Sequence, residues 1–199
     1  MKFDKFRREM QAGLARSIGS PYLSSFMEHV ILVDVHDREI GTMEKMEAHR
    51  KGALHRAFSI MVFNSRGEVL LQKRAKGKYH SGGLWTNACC SHPRPGDDIT
   101  DTISQKLMSE MGIALVPTFT FKFLYRADVG NGLIEHEYDH VYSGTCDTIP
   151  SINHHEVEDW KFMSPTDLLE HIDAFPALYT PWFRIMLSHP EFVGMGKSM

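Results

Sequence analysis

Three short stretches hold most of the side chains able to bind a metal ion or move a proton. The first is His49-Arg-Lys-Gly-Ala-Leu-His55. Two histidines six apart across a glycine do not share a helix face, which excludes a helical zinc pair of the H-E-x-x-H kind. They converge only if the chain turns back; otherwise they are solvated loop residues. The second is Trp85-Thr-Asn-Ala-Cys-Cys-Ser-His92. In an extended chain, residues two apart point the same way, so Cys90 and His92 share a face and Cys89 takes the other. One thiol is then free for chemistry while its neighbour packs as a small hydrophobe. The third is Glu135-His136-Glu137, which puts two carboxylates on one face of a strand. Like charges held that close repel unless a cation lies between them or one is protonated.

Each stretch alone has an ordinary explanation in solvated loops, structural cysteines or an exposed strand. Together, three histidines and two carboxylates form a nitrogen and oxygen donor set suited to Zn²⁺, Mn²⁺ or Mg²⁺. Arg74-Ala-Lys-Gly-Lys78, with Lys45 ahead of His49, offers a cationic rim for a phosphorylated substrate.

The elements that must position these residues follow from apolar spacing. Phe3, Phe6, Met10, Leu14 and Ile18 predict an amphipathic N-terminal helix over residues 3–18, broken before Pro21. Residues 28–35 read as a strand followed by a polar turn at HDRE, and 57–64 and 68–74 as a hairpin about Ser65-Arg66-Gly67. Residues 85–91 read as one further strand. After the Pro93–Gly96 break, Ile99, Ile103, Leu107 and Met111 predict a helix ending at Gly112. Residues 118–126 and 133–143 pair as strands across Asp128–Gly132. Ser164-Pro165-Thr166-Asp167 starts a helix, and a last one runs from Pro181 to Ser188. The class is α/β, a mixed sheet flanked by helices.

The 199 residues suit one compact domain, and a hydrophobic fraction of 42% excludes wholesale disorder. No apolar run approaches the roughly 18 residues of a membrane span, and the N-terminus lacks a continuous apolar signal segment. With 22 basic and 25 acidic side chains there is no electrostatic case for nucleic acid. Three cysteines, two of them adjacent, argue against a disulfide framework and for a reducing, cytoplasmic setting. Histidine is in excess at 12, which is why metal ligands are sought.

At these residues the sequence resembles the type 1 isopentenyl-diphosphate isomerases, a branch of the Nudix superfold. The resemblance runs from about Glu28 to Pro190 and rests on HVILVDVHDREIGTMEKMEAH, LHRAFSIMVFN, LLQKRA, GLWTNACCSHP, YRADVGNGLIEHEYDHVY and TPWF in order. It implies a Nudix-like domain at 28–190, an N-terminal extension at 1–27 and a C-terminal tail at 191–199. By the same resemblance His49, His55, His92, Glu135 and Glu137 bind a divalent metal, with one coordination position open. Glu110, with the carbonyl of Cys90, meets a Mg²⁺ carried by the substrate diphosphate. Lys45, Arg74, Lys78 and Lys106 take diphosphate oxygens. Cys90 and Glu137 form the acid/base pair, Tyr125 bonds near Glu137, and Trp182 faces a cationic intermediate.

The implied activity converts isopentenyl to dimethylallyl diphosphate, with a small prenyl diphosphate as partner and a monomer or weak homodimer as assembly. Aligning the Nudix hydrolase signature on Gly112 leaves Glu110 in place, but Ser109 and Lys106 stand where glutamates belong. A hydrolase with its magnesium cluster on this helix is therefore disfavoured. Two alternatives stay open: a Nudix diphosphohydrolase, and a non-catalytic metal- or diphosphate-binding module.

Overall fold

The computed structural model describes residues 28–195, so the expected N-terminal helix lies outside them. A nine-stranded mixed sheet is built around one strand. It comprises β1 (His29–Val33), β2 (Glu39–Glu44), β3 (His55–Phe63), β4 (Val69–Arg74), β5 (Trp85–Asn87), β6 (Cys89–Ser91), β7 (Thr118–Gly130), β8 (Leu133–Thr145) and β9 (Val157–Met163). The helices are α1 (Lys45–Lys51), α2 (Ile99–Met111), α3 (Pro165–Ala174), α4 (Pro181–Leu187) and α5 (Pro190–Met195). No helix among the described residues is long and apolar enough to cross a membrane.

Strand β3 pairs parallel with β8 from His55 opposite Glu137 to Phe63 opposite Thr145, and antiparallel with β6, where Ser59 faces Cys90. Its near-continuous apolar run reflects burial on both faces. Phe58, Ile60 and Val62 pack with Ile103, Leu107 and Met111 of α2. Met61 and Phe63 belong instead to the cluster of Phe121, Phe123, Trp182 and Phe183. Two cores thus grip the central strand and fix what hangs from its neighbours.

Helix α2 begins at Asp98, whose carboxylate accepts from the amides of Thr100 and Asp101, and stops at Gly112 with φ 66°. A Cβ on Gly112 would lie 2.6 Å from the Ser151 carbonyl oxygen, so only glycine fits. Ser164 caps α3 through the Asp167 amide, with proline at the first turn, as its sequence implies.

Several elements differ from the sequence expectation, each for a physical reason. The stretch 85–91 is two strands: β5 pairs with β4 and β6 with β3. The Asn87 amide ties the corner by donating to the carbonyls of Cys89 and Ile60, at 2.6 and 3.3 Å. β2 is a largely exposed strand bonded only to β1, so it lacks an apolar alternation. α1 is seven residues long with Ala48 and His49 as its buried positions, too few for a helical stripe. β9 and α5 are likewise short and were not signalled by periodicity.

Candidate active site

The inward face of β8 carries Leu133, Glu135, Glu137, Asp139 and Val141, all buried. Three acids on the core side of one strand need protons, donors or a cation to be tolerated. The structure supplies the surroundings from four directions. Helix α1 ends at Gly52, φ 60°, and this reversal brings His49 back onto His55, their ring centroids 5.0 Å apart. The alternative of solvated loop histidines is excluded, because both are fully buried. His92 follows β6 and closes the group, 4.9 Å from His55 and 5.3 Å from His49 between centroids.

Hydrogen bonds set the ring tautomers. His49 Nδ1 lies 2.7 Å from the Lys45 carbonyl and His55 Nδ1 lies 2.8 Å from that of Ala53. Both therefore donate from Nδ1 and turn a bare Nε2 inward. Glu137 Oε1 sits 2.9 Å from His92 Nε2 and 3.4 Å from His55 Nε2. Burial pushes the Glu137 carboxyl up, but its histidine partners outweigh that and leave it well below the usual range. Burial and the Glu137 charge hold Glu135 well above it. Burial holds His92 down to about 4.

The Tyr125 hydroxyl is 2.5 Å from Glu137 Oε2 and 3.0 Å from Glu135 Oε2. A phenol has one proton to donate, so it donates to ionised Glu137 and accepts from protonated Glu135. Asp139, behind them, is pushed up to about 8 by burial and by the Glu137 charge, and accepts from Ser59 Oγ at 2.8 Å.

Across β3, the two cysteines divide as strand alternation requires. Cys89 is 0% exposed in the α2 core, whereas Cys90 lines a cavity of about 60 Å³ with Tyr125, Glu135, Glu137, Trp182 and Arg74. Burial pushes the Cys90 thiol up to about 12, so it carries its proton at rest. Trp182 is both a core residue and a cavity wall, with the Arg74 guanidinium 5.1 Å above its ring.

The expected cationic rim also borders this cavity, and each of its lysines is held by a carboxylate. Lys45 pairs with Glu28 at 2.9 Å, Lys78 with Glu156, and Lys106 with Glu110 at 3.1 Å. Glu110 is 4% exposed, takes a further bond from Gln72, and stands apart from the histidines.

Two ligand groups emerge, each with its ligand atoms within 4.8 Å of one another: His49, His55, His92 and Glu137, and His49, His80 and Glu135. His80 escaped the sequence reading, as did Asp139. The signal for Asp139 was present, because Glu135-His-Glu137-Tyr-Asp139 continues the alternation by one step. For His80 the surplus of histidines was the only hint. The buried Nε2 atoms of His49, His55 and His80 have no hydrogen-bond partner. Orphaned lone pairs beside ionised oxygen are what a divalent cation satisfies, so these residues fit one.

Comparison with known proteins agrees with this architecture. The NUDIX domain family matches residues 53–183. Isopentenyl-diphosphate Delta-isomerase 2 of Aromatoleum aromaticum is 48% identical over 160 residues, covering 80% of this chain and 85% of that protein. The isopentenyl-diphosphate Delta-isomerase of Pectobacterium atrosepticum is 46% identical over 173 residues, 86% of this chain and 97% of its own. A MutT NUDIX hydrolase of Burkholderia pseudomallei shares the fold with a TM-score of 0.54 at 21% identity, covering 69% of this chain and 98% of that one. The length of the match, the mixed sheet and the two thiols divided by strand alternation lead to one assignment: the chain belongs to the isopentenyl-diphosphate Delta-isomerase family, built on a NUDIX domain.

Proposed function

We propose that this protein isomerises isopentenyl diphosphate to dimethylallyl diphosphate, with Cys90 and the Glu137–Tyr125 pair as its proton-transfer groups. The observation that carries the reading is the presence of both in one small cavity, on strands that flank β3 from either side. Moving the double bond adds a proton at the terminal CH₂ carbon and removes one from C2, through a tertiary carbocation. Such a cation demands an acid, a base and the exclusion of water.

The resting protonation states suit that demand. Cys90 holds a proton, Glu137 does not, and Tyr125 bridges from Glu137 to Glu135. The thiol and the Tyr125–Glu137 pair act as the acid and base, and exchange roles in the reverse reaction. Trp182 lines the same cavity, where its indole would stabilise the carbocation. A desolvated cation–π contact contributes about 2 kcal/mol, roughly 30-fold in rate, so positioning and proton transfer supply most of the acceleration.

His49, His55, His92, Glu135 and Glu137 would hold a divalent ion, Zn²⁺, Mn²⁺ or Mg²⁺. When bound, it supplies positive charge that fixes the Glu137 carboxylate and holds its proton affinity down. Lys45, Arg74, Lys78 and Lys106 bind the diphosphate, the three lysines exchanging their present carboxylate partners for phosphate oxygens. Glu110, with the Cys90 carbonyl, would hold a Mg²⁺ carried by the substrate diphosphate once Lys106 turns to phosphate. The free thiols support a reducing compartment such as the cytoplasm as its setting.

Incubating the purified protein with isopentenyl diphosphate, Mg²⁺ and Mn²⁺ tests this reading. Dimethylallyl diphosphate without phosphate release is expected, and lost with a chelator. Phosphate release with no isomer would contradict it and support the diphosphohydrolase.

A further inference from the structure

His80 has no part in the chemistry above, yet it is 3% exposed and its Nε2 has no hydrogen-bond partner. It follows Tyr79 in the loop between β4 and β5. Its Nε2 lies 3.2 Å from Glu135 Oε1, its Nδ1 lies 3.3 Å from Ser81 Oγ, and its carbonyl accepts from Arg74 at 3.3 Å. Burying an imidazole with an empty nitrogen is costly unless something occupies that nitrogen.

The two ligand groups explain what does. Donors each about 2.1 Å from one ion lie at most about 4.2 Å apart. Within each group the ligand atoms lie within 4.8 Å of one another, so either group must contract by some tenths of an ångström to close on an ion. The groups share His49, whose Nδ1–H is spent on the Lys45 carbonyl, leaving a single lone pair on Nε2. One lone pair serves one ion. Glu135 and Glu137, one from each group, are already joined through the Tyr125 hydroxyl. The two groups therefore adjoin, joined by His49 and by the Tyr125 hydroxyl.

We infer that His80 is a ligand of the same divalent ion, beside His49, His55, His92, Glu135 and Glu137. This rests on the metal reading proposed above and extends it. With four imidazoles and two carboxylates, the ion is enclosed by protein, as structural metal sites are, and the expected open position is filled. Its task is then to fix Glu135 and Glu137 and to anchor the loop at residues 75–84. That loop bears Lys78 and the His80 carbonyl that holds Arg74, so metal loading also organises the diphosphate-binding side chains.

X-ray absorption on the full chain loaded with Zn²⁺ counts the bound imidazoles directly. One ion per chain with four imidazoles is expected, falling to three in His80→Ala. Chelator competition should show Zn²⁺ held more weakly in the variant, by at least the 10- to 100-fold typical of losing an outer metal-site partner. Three imidazoles in the unaltered protein would overturn the role of His80 alone, and that count decides the matter even if the variant fails to fold. Two ions per chain would overturn the single-centre argument. No Zn²⁺ bound at all would instead overturn the metal reading on which the inference rests.

Discussion

Tyr125→Phe removes one hydroxyl from the middle of the proton-transfer group and leaves the ring packed against Phe123, 5.5 Å away between centroids. That hydroxyl makes a charge-assisted hydrogen bond to Glu137 at 2.5 Å and bridges to Glu135 at 3.0 Å. A hydrogen bond to a charged group contributes about 1.5–3 kcal/mol. If that contribution is realised while the proton moves, kcat falls about 10- to 150-fold. The metal ligands are untouched, so metal content should stay at the unaltered level. The assay is steady-state conversion of isopentenyl diphosphate by NMR at saturating Mg²⁺, beside metal analysis of the same sample. Activity within threefold of the parent would refute the bridging role. So would a loss of bound metal equal to the loss of rate, because Tyr125 would then act only by holding the ligands.

Cys90→Ala should abolish turnover with the thermal melt unchanged. Cys89→Ala, which empties a small part of the α2 core, should keep activity and cost about 1 kcal/mol of stability; equal damage from both would defeat the alternating-face argument. The Cys90 thiol, raised from 9.0 to about 12, has about a thousandfold smaller thiolate fraction near pH 8 than an ordinary thiol. In the metal-free protein iodoacetamide should therefore label Cys90 far more slowly than free cysteine in the same buffer, as followed by mass spectrometry; labelling at the rate of free cysteine would contradict the burial of that thiol. Gly112→Ala combines a left-handed φ of 66° with a 2.6 Å clash, and a loss of about 1–3 kcal/mol should lower Tm by several degrees; an unchanged Tm would show that the α2 terminus relaxes freely.

What could be read from the sequence divides along physical lines. The strands of the central sheet and helix α2 were legible because their apolar residues face two cores, and burial imposes a period. The pairing of β3 with both β6 and β8 was not, because register across the sheet is set by contacts far apart in sequence. The division of Cys89 from Cys90, and of Glu135 and Glu137 from His136, followed from alternation alone. The convergence of His49 and His55 did not, since it depends on a seven-residue helix ended by a left-handed Gly52. The roles given to Glu110, Trp182 and Lys106 came with the family resemblance, whereas the clustered cations of Arg74–Lys78 with Lys45 already suggested an anion-binding rim. His80 was hidden for a further reason: it lies in an irregular loop, where no period marks the inward face.

Proton NMR of isopentenyl diphosphate turned over in D₂O with Mg²⁺ present tests the central claim most directly. Addition and removal of solvent-exchangeable protons by Cys90 and the Tyr125–Glu137 pair predicts dimethylallyl diphosphate with deuterium in its new methyl group and, through the reverse reaction, at C2. Dimethylallyl diphosphate formed without deuterium would contradict proton addition and elimination by these side chains, and unchanged isopentenyl diphosphate after addition of Mn²⁺ or Zn²⁺ would contradict the isomerase function itself.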